Sequence, residues 1–212
     1  MEDVRIQLSK DNALVKKIIE DNHYSHKIPQ AIKYRFVFYI KEDIKGVAVF
    51  SIPANMYSIT SIFKNETQHI GIELSRVFTD DDTPKNFESY CLSKCFDYIK
   101  NNTVYDVIVS YADPNFEHRG FLYQALNAKY LGETGGEIRY LVNGQLITRR
   151  GLGRSHGDTE KEHVQRLLLD GGTKVKMKGK HKYLFFTCDK RRQKQLIGNL
   201  KDNVCLNNKY PK

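Results

Sequence analysis

Apolar and polar residues alternate along this chain with two different periods, and the period predicts which element each segment forms. Residues 9–21 carry apolar positions at helical spacing, and Ser9 or Asp11 stands where a helix cap is expected. Two runs rich in β-branched and aromatic residues, 34–40 and 47–52, lie on either side of a polar loop. The first quarter of the chain is therefore predicted to be a helix followed by a β-hairpin.

The central segments predict strands that are followed by helices. A strand is expected over 70–78, and Thr83 and Pro84 are expected to begin a helix whose apolar stripe starts at Phe87. The continuous apolar run 104–112 is typical of a buried central strand. Each junction between a strand and a helix brings unpaired N–H groups to the end of a strand, which is a suitable place for a phosphorylated cofactor.

The rest of the chain gives weaker signals. A helix is expected over 120–130, with Gly132 as its left-handed stop, and the pair Asn143-Gly144 predicts a hairpin. The remaining predictions are a strand pair at 138–141 and 145–148, a mobile loop at 151–157, a helix at 160–169, a strand at 183–188 and a basic helix at 190–200.

This order of elements predicts an α+β protein with a mixed, mostly antiparallel sheet flanked by helices. The same order is found in the acyltransferase fold called GNAT, in which acyl-CoA lies at the end of the fourth strand. We therefore expect residues 1–148 to form a GNAT-like catalytic core. Residues 149–212 are expected to be a basic C-terminal extension of the same domain.

Length and composition exclude several classes of protein. A chain of 212 residues can bury one good core. No apolar run approaches the roughly 20 residues needed to span a bilayer, and the N-terminus has no signal-peptide pattern, so a cytoplasmic protein without membrane contact is predicted. The four cysteines include no Cys-x-x-Cys pair, which argues against a zinc ribbon and predicts four buried thiols.

The charge is concentrated in the last third of the chain. The net charge is +9, yet residues 149–212 hold 17 Lys and Arg against 6 Asp and Glu, so the preceding part is slightly acidic. A basic segment that also contains aromatic and glycine residues is typical of a surface that contacts DNA. The alternative is a solvated basic face without a partner.

Asp113 and Tyr123 are the first candidates for chemistry. Asp113 ends the buried strand, where an ionised carboxylate is costly unless it is paired or bound to a cation, although it could simply cap the next turn. Tyr123 stands on the following helix within reach of the same cleft, and its alternative role is core packing.

Histidines in two loops are further candidates. His23 and His26 flank Tyr24 in the loop after the first helix, where this fold places the acceptor, and His118 follows Asp113. Nitrogen and oxygen donors of these types suit iron or a similar transition metal better than calcium. Histidine in a polar loop is, however, commonly only solvated.

Arg76 and two residues of the next helix are candidates for cofactor binding. Arg76 lies inside an apolar strand near Glu73, so an ion pair or a ligand phosphate is expected to satisfy its charge. Asn86 and Ser89, in the first turn of the helix, could donate hydrogen bonds to the same anion, and ordinary helix capping explains them nearly as well.

Several blocks of the sequence resemble the bacteriophage Mom family. The central blocks are Glu73-Leu-Ser-Arg76, Asp81-Asp-Thr-Pro-Lys-Asn-Phe-Glu-Ser89, Tyr111-Ala-Asp113 and Tyr123-Gln-Ala-Leu-Asn127, followed by Gly132. The outer blocks are His23-Tyr-Ser25, Lys182-Tyr-Leu-Phe-Phe186, Lys190-Arg-Arg-Gln-Lys194 and Tyr210-Pro-Lys212. They follow the order of the family over most of the chain, and the stretch 150–180 departs from its pattern.

The resemblance implies a GNAT-like enzyme that converts adenine in phage DNA to an N6-methylcarbamoyl (carbamoylmethyl) derivative, which protects the DNA from host restriction. It implies acetyl-CoA or a related acyl-CoA, iron, and double-stranded DNA as partners, with action in the host cytoplasm. Carried over by position, His23, Asp113 and Tyr123 would be the catalytic and metal-binding residues. Arg76 and Ser89 would bind the cofactor.

The implied chemistry agrees with what adenine requires. The exocyclic amine is a poor nucleophile, and the base must leave the stack to reach a cleft, where Tyr24 and Tyr34 could stack on it. Two alternatives predict different behaviour. One is a GNAT N-acetyltransferase that acts on a small amine or a protein with acetyl-CoA, with Glu73 as the base through a water. The other is a DNA-binding module without enzymatic activity.

Overall fold

The computed structural model describes residues 3–142, 144–148, 159–169, 171–206 and 209–211. The α-helices in these ranges are α1 (Asn12–Asn22), α2 (Phe87–Asn102), α3 (Phe121–Ala125), α4 (Glu160–Leu169) and α5 (Lys190–Gly198). The strands are β1 (Val4–Leu8), β2 (Ile32–Ile40), β3 (Asp43–Ser51), β4 (Gly71–Thr79), β5 (Val107–Ala112), β6 (Lys129–Glu133), β7 (Ile138–Val142), β8 (Gln145–Thr148), β9 (Thr173–Lys176) and β10 (His181–Phe186).

The strands form two sheets. Seven of them make a large sheet in the order β1-β2-β3-β4-β5-β10-β6, and three make a small sheet in the order β8-β7-β9. In the large sheet β4 and β5 pair in parallel, whereas β1–β2, β2–β3, β3–β4 and β5–β10 pair antiparallel. The α+β prediction of a mixed, mostly antiparallel sheet flanked by helices is thus confirmed.

Helices cover both faces of the large sheet. Since successive side chains of a strand point to opposite faces, the central strands carry apolar residues on both sides. On β2, Phe36 and Phe38 pack with the buried side of α2, and Val37 between them packs with α1 on the opposite face. On β5, Val107 and Val109 face the side that α5 covers through Leu196. The sequence of each central strand is therefore a nearly continuous apolar run.

The chain packs as two compact units. The first comprises Met1–Ala112, Arg119–Gly132 and His181–Lys212, and the second comprises Asp113–His118 and Glu133–Lys180. The first unit contains the large sheet, including β10 and all of β6 up to Gly132, and it also contains α5. The small sheet and α4 belong to the second unit. The boundary between residues 148 and 149 stays a prediction.

Helix α2 begins at a different residue from the one predicted. Its cap is Asn86, whose backbone is left-handed with φ 67°, and Thr83 lies in the preceding turn, where its hydroxyl donates to the Asp80 carbonyl at 2.9 Å. The predicted cap at Thr83 is therefore wrong. Asp11 caps α1, as one of the two alternatives stated, by accepting a hydrogen bond from the Leu14 N–H at 2.9 Å.

The helix predicted over 120–130 is also wrong in its length. It ends at Ala125, a left-handed residue at Asn127 (φ 59°) turns the chain, and the following residues form β6. Gly132, expected to stop the helix, lies inside that strand with φ 91°. The short strands β1 and β9 were missed because neither has a long apolar run.

Three further predictions have mixed outcomes. Cys91 and Cys95 are buried as expected, but Cys188 is half-buried and Cys205 is exposed. Asn143 and the loop 151–157 lie outside the described residues, and the hairpin of β7 and β8 is present on either side of Gly144. Among the parts of the chain that the structure describes, no helix is long and apolar enough to cross a membrane.

Candidate active site

The parallel pairing of β4 and β5 ends in the middle of both strands. It joins Gly71–Leu74 with Val107–Ser110, after which β4 continues beside β3 and β5 continues beside β10. Two adjacent strands that separate in this way open a cleft at the end of their shared ladder. This opening lies in the first unit and is the candidate active site.

A β-bulge in β4 determines which side chains face the opening. Phe50 pairs with Leu74 and Val49 with Arg76, so Ser75 is the extra residue. Leu74 points into the core beneath α2, and Glu73 therefore lies on the opposite face. The bulge shifts the alternation by one residue and brings Arg76 to the same face as Glu73.

Glu73 lies near several ionisable groups of the first unit. Burial is the main influence on the pKa of Arg76, Tyr111, Tyr123 and Lys182, and in each case the Glu73 carboxylate acts to raise that pKa. A carboxylate surrounded by two cations and two phenols is a candidate general base.

Tyr123 places its hydroxyl at the end of the parallel ladder. Its ring packs against Tyr183 and Phe185, with centroids 5.2 and 6.0 Å away. Burial of the hydroxyl raises the pKa of Tyr123, and a hydrogen bond with Ser110 opposes that rise. The phenol therefore keeps its proton at neutral pH and can donate a hydrogen bond.

Lys182 and Tyr111 are cross-strand neighbours beside the opening. The Lys182 ammonium donates to the Ser58 carbonyl at 2.9 Å and to the Ser61 hydroxyl at 3.4 Å. Burial lowers the pKa of Lys182 to about 8, and Glu73 opposes this. The pKa of Tyr111 is raised, first by burial.

Arg76 is bonded to backbone carbonyls. Its Nε donates to the Lys27 carbonyl at 2.9 Å and its Nη1 to the Ser75 carbonyl at 2.6 Å. Burial lowers the pKa of Arg76, while Tyr24 and Glu73 act to raise it. Arg76 thus fixes the loop after α1 beside Glu73, and a ligand phosphate is not needed to explain its burial.

His23 lies at the end of α1 and is buried. Its Nδ1 accepts from the Ser25 N–H at 3.1 Å and lies 2.9 Å from the Ser25 hydroxyl, and its ring lies 4.3 Å from that of Tyr24. Burial has the largest effect on the pKa of both Arg76 and Tyr123, and Tyr24 acts to raise each of them. The structure therefore brings His23, Arg76 and Tyr123 together in one unit through Tyr24.

Asp113 belongs to the second unit. Its side chain is 2% exposed, its Oδ1 accepts from the Asn115 N–H at 3.0 Å and the Asn115 amide at 2.7 Å, and its Oδ2 lies 3.5 Å from the Lys180 ammonium. It caps the short 3₁₀ turn that follows β5, which agrees with the alternative reading as a cap. His118 donates its N–H to the Asp113 carbonyl at 3.2 Å.

Asn86 and Ser89 line a cavity of about 390 Å³ in the first unit. It lies between the turn after β4, the first turn of α2 and the α3 residues Phe121, Leu122 and Ala125. The Ser89 hydroxyl donates to the Asn86 carbonyl at 3.0 Å, which is ordinary capping. Arg76 is not part of this lining, so the three cofactor candidates are divided between the cavity and the opening.

The described residues give no support for the predicted iron site. In the ranges that the structure describes, no group of three or more His, Cys, Asp and Glu side chains could hold a metal ion. A tyrosine ligand binds as its anion, and burial raises the pKa of Tyr123. Asp113 already accepts hydrogen bonds from Asn115 and lies beside Lys180.

Sequence reasoning missed Lys182 and Ser110 as parts of the site and treated Glu73 only as the base of an alternative enzyme. Lys182 carried a usable signal, because it is a lysine followed by four aromatic or apolar residues of the same strand. Ser110 carried none, since a serine in a buried strand does not reveal which carbonyl it contacts.

Comparison with known proteins gives matches of sequence and of fold. The Mom protein family matches residues 5–212. The methylcarbamoylase Mom of Escherichia phage Mu is 26% identical over 148 residues, which cover 65% of this chain and 61% of that protein. The match thus spans about three-fifths of the length of this relative.

Two solved structures share the fold. An acetyltransferase from Bacillus subtilis in complex with CoA has a TM-score of 0.50 and 10% identity, covering 86% of this chain and 98% of that one. A ribosomal-protein-S5-alanine acetyltransferase from Vibrio fischeri has a TM-score of 0.50 and 10% identity, covering 88% and 94%. The prediction of a GNAT-like acyltransferase fold is confirmed. Since the family match extends over nearly the whole sequence, the chain belongs to the Mom protein family.

Proposed function

We propose that this protein is a DNA-modifying transferase that uses acetyl-CoA or a related acyl-CoA to modify adenine in double-stranded DNA. The product would be the N6-methylcarbamoyl (carbamoylmethyl) base, which protects phage DNA from host restriction. Membership of the Mom family and the likeness to the phage Mu methylcarbamoylase support this proposal. The observation that carries it is the opening between β4 and β5, with Glu73 and the Tyr123 hydroxyl at the end of the shared ladder.

Glu73 and Tyr123 have complementary roles in this proposal. In an acyl-transfer step, adenine N6 would attack the thioester carbon, the carbon–sulfur bond would break, and CoA would leave as its thiol, while Glu73 accepts the amine proton through a water. The amide nitrogen of the final methylcarbamoyl group would come from a separate nitrogen donor, to which no residue is assigned. Tyr123 stays protonated because burial raises its pKa, and its hydroxyl would switch its hydrogen bond from Ser110 to the thioester end of the cofactor when the cofactor binds. When bound, acyl-CoA supplies the activated carbon.

The cofactor would extend from the opening towards the start of α2. Asn86 and Ser89 line the cavity there, and the N–H groups of the first turn of α2 favour a phosphate. Asp80, Asp81 and Glu88 also line it and disfavour an anion. Arg76 would lie nearer the thioester.

Of the two remaining candidates, His23 belongs to the unit of the proposed site, whereas Asp113 belongs to the second unit. His23 would hold Tyr24 on the acceptor side through their ring contact. A role of Asp113 rests on the family resemblance alone, and its carboxylate accepts a hydrogen bond from Asn115 and lies beside Lys180. Iron rests on the family resemblance alone, and no step is assigned to it.

The acceptor distinguishes this proposal from its nearest alternative. An N-acetyltransferase that acts on a small amine or a protein would use the same Glu73 and the same fold. DNA is favoured by the family membership and by a strongly basic last third, which includes exposed lysines of β9 and exposed Lys190 and Arg191 at the start of α5.

The decisive experiment is mass spectrometry of nucleosides in DNA from cells that express the protein. We expect a new deoxyadenosine derivative with the native chain, its loss with Glu73→Gln and with Tyr123→Phe, and its retention with Glu42→Gln, whose side chain is 94% exposed. Unmodified nucleosides at good expression would contradict the proposal. Acetylation of amines or proteins by the purified chain would then favour the alternative.

A further inference from the structure

Lys182 connects the opening to a turn that follows β3. Its side chain points to the same face as its cross-strand neighbour Tyr111, and its ammonium donates to the Ser58 carbonyl at 2.9 Å and to the Ser61 hydroxyl at 3.4 Å. A lysine that reaches over a sheet to bond a buried loop carbonyl contributes to the position of that loop.

The turn is anchored from several sides. The Tyr111 hydroxyl donates to the Ser58 hydroxyl at 3.4 Å, and Ser58 is only 2% exposed. Ile59, Ile62 and Phe63 are buried in the apolar cluster that α5 covers. The turn therefore has little freedom, and Lys182 holds a defined position beneath it.

Charges around Lys182 come mainly from one residue. Glu73 of β4 pairs with Val109 of β5, and Tyr111, two residues further along β5, pairs with Lys182 of β10, so the side chains of Glu73, Tyr111 and Lys182 lie on one face of three adjacent strands. Burial lowers the pKa of Lys182, and within the described residues the Glu73 carboxylate is the charge that opposes this. Burial raises the pKa of Tyr111 on β5, its hydrogen bond with Ser58 opposes this, and Glu73 raises the pKa further. Interaction between two charges is mutual, so the ammonium favours the ionised form of Glu73 as much as Glu73 favours the ammonium.

We propose that Lys182 is a positioning residue of the active site, which keeps Glu73 ionised and fixes the turn of Ser58–Ser61 beside it. A general base must be deprotonated to accept a proton from an amine, so Lys182, together with Arg76 of β4 on the same face, keeps Glu73 ready at neutral and mildly acidic pH. The importance of this for catalysis rests on the proposed role of Glu73, whereas the charge interaction itself does not.

A purely structural role is the competing explanation. In that case Lys182 would only satisfy the Ser58 carbonyl, and a neutral side chain that donates a hydrogen bond would replace it fully. Lys182→Gln keeps a donor without the charge, and Lys182→Arg keeps both. The two substitutions therefore separate the charge from the hydrogen bond.

The test is an NMR titration of protein labelled with ¹³C at the glutamate carboxyl carbon. Glu73→Gln identifies the resonance of Glu73 by its disappearance. We expect Lys182→Gln to raise the pKa of Glu73 by about one unit, a tenfold change in proton affinity, with little change in Lys182→Arg or in the control Lys94→Gln on α2. An unchanged titration of Glu73 in Lys182→Gln would overturn the inference.

The native fold of each variant is checked by circular dichroism, and Lys182→Met is a second neutral variant if Lys182→Gln fails to fold. Formation of modified deoxyadenosine is then followed against pH. The acid limb of this pH–activity profile should move to higher pH in Lys182→Gln and stay in place in Lys182→Arg. If no variant or native protein modifies DNA, the proposed function fails, and the titration still decides whether Lys182 controls Glu73.

Discussion

The Ser110 hydroxyl donates a hydrogen bond of 2.8 Å to the Leu74 carbonyl, and these two residues are the last pair of the parallel ladder between β4 and β5. The hydroxyl thus binds the carbonyl where the ladder ends. Since Tyr123 is hydrogen-bonded to Ser110, the phenol is fixed at the same point. This arrangement fixes the position of the Tyr123 hydroxyl before any ligand binds, with its proton directed at Ser110.

Tyr123→Phe is expected to reduce DNA modification by about a hundredfold, the effect typical of removing one aligned donor. The ring keeps its contacts with Tyr183 and Phe185, so the melting temperature should change little. Tyr39→Phe is the matched control, because the Tyr39 ring packs under Arg5 away from the opening. Nucleoside mass spectrometry measures the rate, and equal rates in both variants would contradict a role for the phenol.

Gly120→Ala is expected to destabilise the protein. Gly120 has φ 76°, and an added Cβ would lie 2.6 Å from the Tyr183 ring. Left-handed backbone alone costs about 1–2 kcal/mol, and overpacking adds about 1–3 kcal/mol. Gly132→Ala isolates the first effect, since Gly132 has φ 91° and no atom within 4 Å of the added Cβ. Urea denaturation should rank Gly120→Ala as clearly less stable than Gly132→Ala.

Arg192→Lys is expected to loosen α5. The Arg192 guanidinium donates to both Glu66 carboxylate oxygens at 3.0 and 2.7 Å, and to Asp106 at 2.8 Å. A lysine cannot reproduce this fork, so the free energy of unfolding should fall by about 1.5–3 kcal/mol. The neighbouring exposed Arg191 is the control, and Arg191→Lys should change the free energy of unfolding by less than about 0.5 kcal/mol. Equal stabilities would show that the network is dispensable.

Lys174 and Lys176 are expected to contact DNA phosphates. Both are exposed on β9, at the edge of the small sheet, with side chains about 6.6 Å apart along the strand. Replacing both by glutamine should weaken DNA binding equally for all sequences and lower the salt slope of the binding constant by about 1.8. Lys94→Gln with Lys100→Gln is the control pair on α2. An unchanged slope would indicate that these lysines only protect a sheet edge.

The stability of the protein should depend on the titration of Lys182. Burial lowers its pKa to about 8 in the fold, against about 10.4 in the unfolded chain. Between these values the unfolded state binds more protons, so the free energy of unfolding rises with pH by at most about 1.4 kcal/mol per unit. Lys182→Gln lacks this rise, and other titrating groups cancel in the comparison. Urea denaturation at pH 7.5 and 9 measures the difference, and parallel profiles would contradict a lowered pKa.

Local sequence patterns determined most of the elements of this protein. The spacing of apolar residues located α1, α2, α4 and α5, and the runs of β-branched and aromatic residues located most strands of the large sheet. The α+β class followed from their order. These predictions succeeded because helical and strand periods are properties of neighbouring residues. The limits of α3 and the cap of α2 were wrong, since packing and left-handed residues such as Asn86 and Asn127 decide where a helix stops.

The candidate site depended on contacts between distant segments. Sequence alone identified Tyr123, His23 and Arg76 as candidates, but only the tertiary structure showed that Arg76 binds a loop carbonyl and that Asp113 caps a turn in the other unit. The bulge at Ser75 turns Arg76 to the face of Glu73, and parallel pairing brings Ser110 to Leu74. Strand register and pairing are set by the whole sheet, so no pattern of neighbouring residues could reveal them.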